Sequence, residues 1–130
     1  MEKKVLLSFT PELTFRSFMN DIIKNYNVEI NIVKADIEAI IQGVVRETGV
    51  TEVEMCDKGR QREYAEARAI VSWLARRYTS MTLTSIGKRL GRDHISVIHY
   101  VRMVGSWMEE PRLNMRGARI TQKLIDEIEQ

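Results

Sequence analysis

The sequence predicts a mainly α-helical domain preceded by a small N-terminal extension, and three observations carry that prediction. Beyond residue 34, apolar residues recur at three- and four-residue spacing, the period of helices that bury one face. Helix-capping residues stand at the starts of several of these stretches, and Gly49 and Gly91 stand where two of them stop. The one clear alternation of period two, Val28-Glu29-Ile30-Asn31-Ile32-Val33, lies near the N-terminus.

In chain order, residues 5–9 are short and apolar. Phe15, Phe18, Met19, Ile22 and Ile23 follow Pro11-Glu12 at helical spacing, and residues 28–33 read as a strand. Residues 1–33 thus read either as a small strand-helix-strand unit or as a frayed N-terminal extension. A helix follows from Ala35, with Ile37, Ile40, Ile41, Val44 and Val45 as its stripe and Gly49 as its cap. Thr51-Glu52-Val53-Glu54 has the spacing of a capping box, which predicts a short helical turn running to Cys56. The polar stretch 57–61 reads as a basic loop. A long helix is expected from Arg62 to Tyr78, with Trp73 at the centre of its buried face.

Thr82 is placed to cap a short helix whose inner face is Leu83, Ile86 and Leu90. Gly91 then supplies the positive φ of a tight turn, and Asp93 is placed to cap the next helix. That second helix is expected to bury Val97, Ile98, Val101 and Val104, which turns His94, Ile95, Ser96, His99 and Arg102 outward. Two helices meeting across about three residues, the second presenting its N-terminal side chains, form a helix-turn-helix suited to the major groove of DNA. After Pro111, the stripe Ile120, Leu124, Ile125, Ile128 predicts a C-terminal helix that packs on the domain or serves a partner. The expected organisation is therefore residues 1–33, 34–109 and 110–130.

Composition narrows the function. At 130 residues and 44% hydrophobic content, the chain suits one compact domain. No apolar run is long enough to span a membrane. The Lys3-Lys4-Val5-Leu6-Leu7 start breaks at Ser8 before any cleavage-type site, so a cytoplasmic setting is expected. Cys56 is alone, and with His94 and His99 as the only histidines no zinc set forms. No catalytic arrangement stands out, and neither cofactor nor metal is expected. The net charge of +2 is small, but its distribution is uneven. Residues 58–102 hold ten cations against three carboxylates, a balance of +7, whereas residues 29–57 balance to −5.

The segment resembles the C-terminal DNA-binding domain of the bacterial chromosomal replication initiator DnaA. The residues that carry the resemblance are Ser85-Ile86-Gly87, Arg92-Asp93-His94, Ser96-Val97-Ile98-His99 behind them, and Arg60 and Arg68 upstream, over roughly residues 35–104. It implies an initiator-type helix-turn-helix fold that binds A·T-rich duplex sites. By that likeness Arg60 enters the minor groove, Asp93, His94, Ile95 and Ser96 read bases, and Arg68 belongs to the same surface. Lys88, Arg89, Arg92 and His99 complete the expected DNA contacts. The sequence departs from the family in three places. One glycine, Gly91, stands where two are usual; Ile95 replaces a usual threonine; and no Gly-x-x-x-x-Gly-Lys-Ser/Thr loop of the initiator's ATPase occurs. The expected partner is double-stranded DNA, in replication control or transcription regulation. The rival reading is an interaction module of the same fold that binds a replication or regulatory protein.

Overall fold

The computed structural model describes residues 35–130, which form six α-helices and a short 3-10 turn; among them there is no strand. The strand-helix-strand reading of residues 1–33 lies outside the described residues.

Local signals set the helix ends. Helix α1 (Ile37–Thr48) starts at Asp36, whose carboxylate accepts the Ala39 N–H at 2.8 Å, and stops at Gly49 with φ 79°. Helix α2 (Glu52–Met55) is held by the expected capping box. Thr51 Oγ1 accepts the Glu54 N–H at 3.1 Å, and the Glu54 carboxylate accepts the Thr51 N–H at 2.9 Å. Helix α3 (Arg62–Tyr78) is the scaffold, packing on every other helix. Helix α4 (Leu83–Leu90) is capped by Thr82 through the Ser85 N–H at 3.0 Å and ended by Gly91 with φ 71°. Helix α5 (His94–Glu109) is capped by Asp93 through the Ser96 N–H at 2.8 Å. After the 3-10 turn Pro111–Leu113, Asn114 caps α6 (Met115–Ile128).

One core joins all six. Ile41, Val44, Met55, Ile70, Leu74, Ile86, Leu90, Val97 and Val104 are buried almost completely, each large side chain contributing about 1.5–3 kcal/mol on removal from water. The C-terminal helix is part of this body, because Ile120 and Leu124 are buried against α1, α3 and α5. Gly117 lets it approach, since a Cβ there would lie 2.7 Å from the Trp107 ring. Arg46 of α1 reinforces the seam by donating to both oxygens of Glu127 at 2.7 Å.

Two expectations about the core are corrected. Trp73 is not at its centre. The buried stripe of α3 runs through Ala67, Ile70, Val71, Leu74, Ala75 and Tyr78, and Trp73 lies on its flank beside Gly105 with Arg77 stacked 5.3 Å from its ring. Ile98 is only half-buried and stands outside the core, because the inner line of α5 passes through Val97, Val104 and Trp107.

Several capping and paired carboxyls are held below the usual carboxylate range. The Arg89 guanidinium does this for Glu38, the Thr51 backbone N–H for Glu54, and the Ser96 backbone N–H for Asp93. A folded-state pKa below the unfolded one stabilises at pH above the unfolded value and is lost as pH falls through the folded one. The melting temperature should therefore fall as pH is lowered below about 4.5, the top of the unfolded carboxylate range. Circular-dichroism melts between neutral pH and pH about 3 read this, and an unchanged midpoint would remove these carboxylates from the account.

Candidate nucleic-acid interface

The helix-turn-helix is built by close backbone approach. The Arg92 N–H donates to Gly87 O at 2.8 Å, so the turn folds back onto the second turn of its own first helix. A Cβ at residue 87 would stand 2.4 Å from Arg92 O, so only glycine fits. Ile86 and Leu90 behind the turn and Val97 and Val104 ahead of it lock α4 against α5.

This packing leaves the N-terminal half of α5 facing out. His94 and His99 are exposed, Ser96 is half-buried, and Ile95 is 54% exposed, a large apolar side chain in water where packing has no use for it. Asp93 is exposed as well, with its carboxylate engaged as the cap. Beside α5 lies the basic loop of residues 57–61. Lys58 and Arg60 form one wall of an open cleft whose other side is Arg92, Ser96 and Tyr100, with Arg68 at its base.

The ten cations of residues 58–102 divide sharply. Arg89 is clamped by Glu38 at 2.6 and 2.7 Å and by Glu52 at 2.5 Å, so the acidic segment neutralises it. Arg62 pairs with Glu66 at 3.1 Å, and Arg77 lies over Trp73. Arg92 ties the turn to the loop, donating to Asp57 O at 2.6 Å. Lys58, Arg60, Arg76, Lys88 and Arg102 are exposed and, among the described residues, have no carboxylate partner. Pairing thus leaves less free positive charge than the linear balance of +7, and of the unpaired cations Lys58 and Arg60 lie beside α5 and Arg102 lies on it.

Arg68 departs most from expectation. It is 3% exposed, and its donors go to Met55 O at 2.9 Å, Asp57 O at 3.5 Å and the Tyr100 hydroxyl at 2.9 Å. The periodicity held the signal: Arg68 sits three residues before Val71 and seven before Ala75, on the apolar face of α3. Tyr100, which the sequence reading did not single out, is its partner on α5.

The profile of the bacterial DnaA protein helix-turn-helix matches residues 37–104, which spans α1 to the first eleven residues of α5. The chain belongs to the DnaA helix-turn-helix family. Among similar proteins, the chromosomal replication initiator protein DnaA of Caulobacter sp. (strain K31) is 36% identical over 78 residues, covering 58% of this chain and 16% of that protein. Its counterpart in Campylobacter concisus (strain 13826) is 28% identical over 112 residues, covering 85% of this chain and 24% of that protein. That of Gloeobacter violaceus is 31% identical over 94 residues, covering 71% and 20%. The chain spans about a quarter or less of the length of these relatives. Within the DnaA match fall the basic loop, the glycine turn and the exposed residues of α5.

Proposed function

We propose that this chain binds double-stranded DNA with sequence preference, laying α5 in the major groove while the basic loop reaches the adjacent minor groove. The observation that carries the reading is the joint presentation of His94, Ile95 and His99 on exposed α5 with Lys58 and Arg60 beside them across an open cleft. A major groove about 12 Å wide admits one helix, and its base edges meet that helix's N-terminal side chains.

In this docking His94 and Ser96 offer hydrogen bonds to base edges, and Ile95 packs on a thymine methyl. Asp93 holds the first turn of α5 and offers its second carboxylate oxygen to a cytosine amine. His99 follows one turn along. Arg60 enters the minor groove, where a narrow A·T tract concentrates negative potential around a guanidinium. Lys58, Lys88 and Arg102 meet phosphates, while Arg92, whose guanidinium already donates to Gly91 O and Asp57 O, ties the turn to the loop. Arg68 and Arg89 act from behind, holding the loop and α4 in place, because their donors are already engaged. Residues 34–109 form the DNA-binding unit, braced by the helix within 110–130. The relatives are named as chromosomal replication initiators, which favours replication control in the cytoplasm, with transcription regulation as a second use of the same sites.

Salt dependence tests the proposal. Lys58, Arg60, Lys88 and Arg102, unpaired exposed cations on or near the helix-turn-helix, would neutralise about four phosphates, so log K should fall against log[salt] with a slope near −3.6. Fluorescence anisotropy with a labelled random duplex should then show affinity falling roughly a hundredfold between about 50 and 200 mM salt. A flat response, or no binding at the lower salt, would transfer the function to the rival class of a protein-interaction module.

A further inference from the structure

We infer that Arg68 and Tyr100 form a clamp that fixes the basic loop against α5, so that minor-groove and major-groove contacts are made at one spacing only. The inference rests on the docking proposed above. Arg68 reaches both sides of the cleft from within α3. Its Nη1 donates to Met55 O at 2.9 Å and to Asp57 O at 3.5 Å, the residues from which the loop departs. Its Nε donates to the Tyr100 hydroxyl at 2.9 Å, and its guanidinium lies 5.7 Å from the Tyr100 ring centroid. Arg92 adds a second tie, from the helix-turn-helix turn to Asp57 O at 2.6 Å.

The chemistry of the clamp is uncommon. Arg68 is 3% exposed, yet among the described residues its acceptors are two carbonyls and a phenol, with no carboxylate. Burying a cation without a counter-charge is costly, and a methionine of similar length would fill the space without that cost. What an apolar residue cannot supply is direction: a planar fork of donors fixes the loop root and α5 at set angles to each other. Tyr100 stands one turn beyond Ser96 on the same side of α5, so the tie reaches the part of the helix that enters the groove. Loop and helix then cannot shift separately.

The consequence for DNA is a fixed register. Each base pair inserted between the A·T tract and the major-groove site moves the tract about 3.4 Å along the axis and turns it about 35°. A loop free to swing would follow part of that movement, and a clamped one would lose its contact.

The test uses the full chain and duplexes in which an A·T tract is stepped by one base pair at a time from the preferred major-groove site. Wild type should lose on the order of tenfold per step, within the range of one mismatched pair. Tyr100→Phe keeps the ring beside Arg68 and removes only the hydroxyl; it should fold normally and lose about threefold or less per step. Arg68→Lys, which keeps the charge and gives up the fork, should relax the register in the same way. The clamp is overturned if either variant keeps the wild-type penalty, if Tyr100→Phe weakens all duplexes equally, as loss of a phosphate contact would, or if wild type ignores the step. Failure of wild type to bind any duplex would instead overturn the docking itself.

Discussion

Gly87→Ala should be among the most damaging single substitutions in the chain, lowering stability by about 3 kcal/mol and the melting temperature by on the order of 10 °C. The added methyl would meet Arg92 O at 2.4 Å and Asp93 O at 3.2 Å, both backbone atoms that no rotamer change can move aside. Relief requires opening the turn, which gives up the Arg92 N–H to Gly87 O bond and displaces the cap of α5. On propensity alone, alanine inside a helix would be the better residue by about 1 kcal/mol, so the sign of the effect separates the two views. Denaturant titration reads it directly. A variant as stable as wild type would mean that the turn does not close on Gly87.

Arg68→Ala should cost about 2–4 kcal/mol, from the lost packing of its aliphatic stem and from an unpaired buried carbonyl at Met55. It should also weaken DNA binding at temperatures where the variant remains folded, since the loop root is released. By contrast, a surface arginine that touched only phosphate would change stability by no more than about 0.5 kcal/mol. Thermal melts and binding isotherms on the same preparation distinguish these cases. Unchanged stability with weakened binding would return Arg68 to the surface role that the sequence suggested.

What the sequence made legible was what is decided within one or two helical turns. The caps at Thr51, Thr82 and Asp93 and the left-handed stops at Gly49 and Gly91 depend on side chains three or four residues away and on backbone sterics, so spacing alone locates them. The helix-turn-helix followed from these signals together with the stripes of α4 and α5. Features that depend on partners distant in the chain were not legible. Arg89 reads as a surface cation until the fold brings Glu38 and Glu52 to it from 51 and 37 residues away. Trp73 reads as a core centre by size, yet the line of the core along α3 is set by α5 and α1 packing on it. Arg68 gave a periodicity signal that its charge overrode, and its partner Tyr100 lies 32 residues on.

The central claim is that the exposed N-terminal half of α5 reads base edges, and Ile95 tests it most directly. At 54% exposure its side chain stands outside the core, so Ile95→Thr should leave the fold intact while exchanging an apolar contact for a hydroxyl. Selection from a randomised duplex library, run side by side on wild type and Ile95→Thr, should return motifs that differ at one or two adjacent base pairs. Each altered position should carry a preference of about 1–3 kcal/mol, whereas loss of a phosphate contact weakens all sequences alike. Identical motifs from the two proteins would contradict the claim, because Ile95 would then not face the groove and α5 would not be the reading helix.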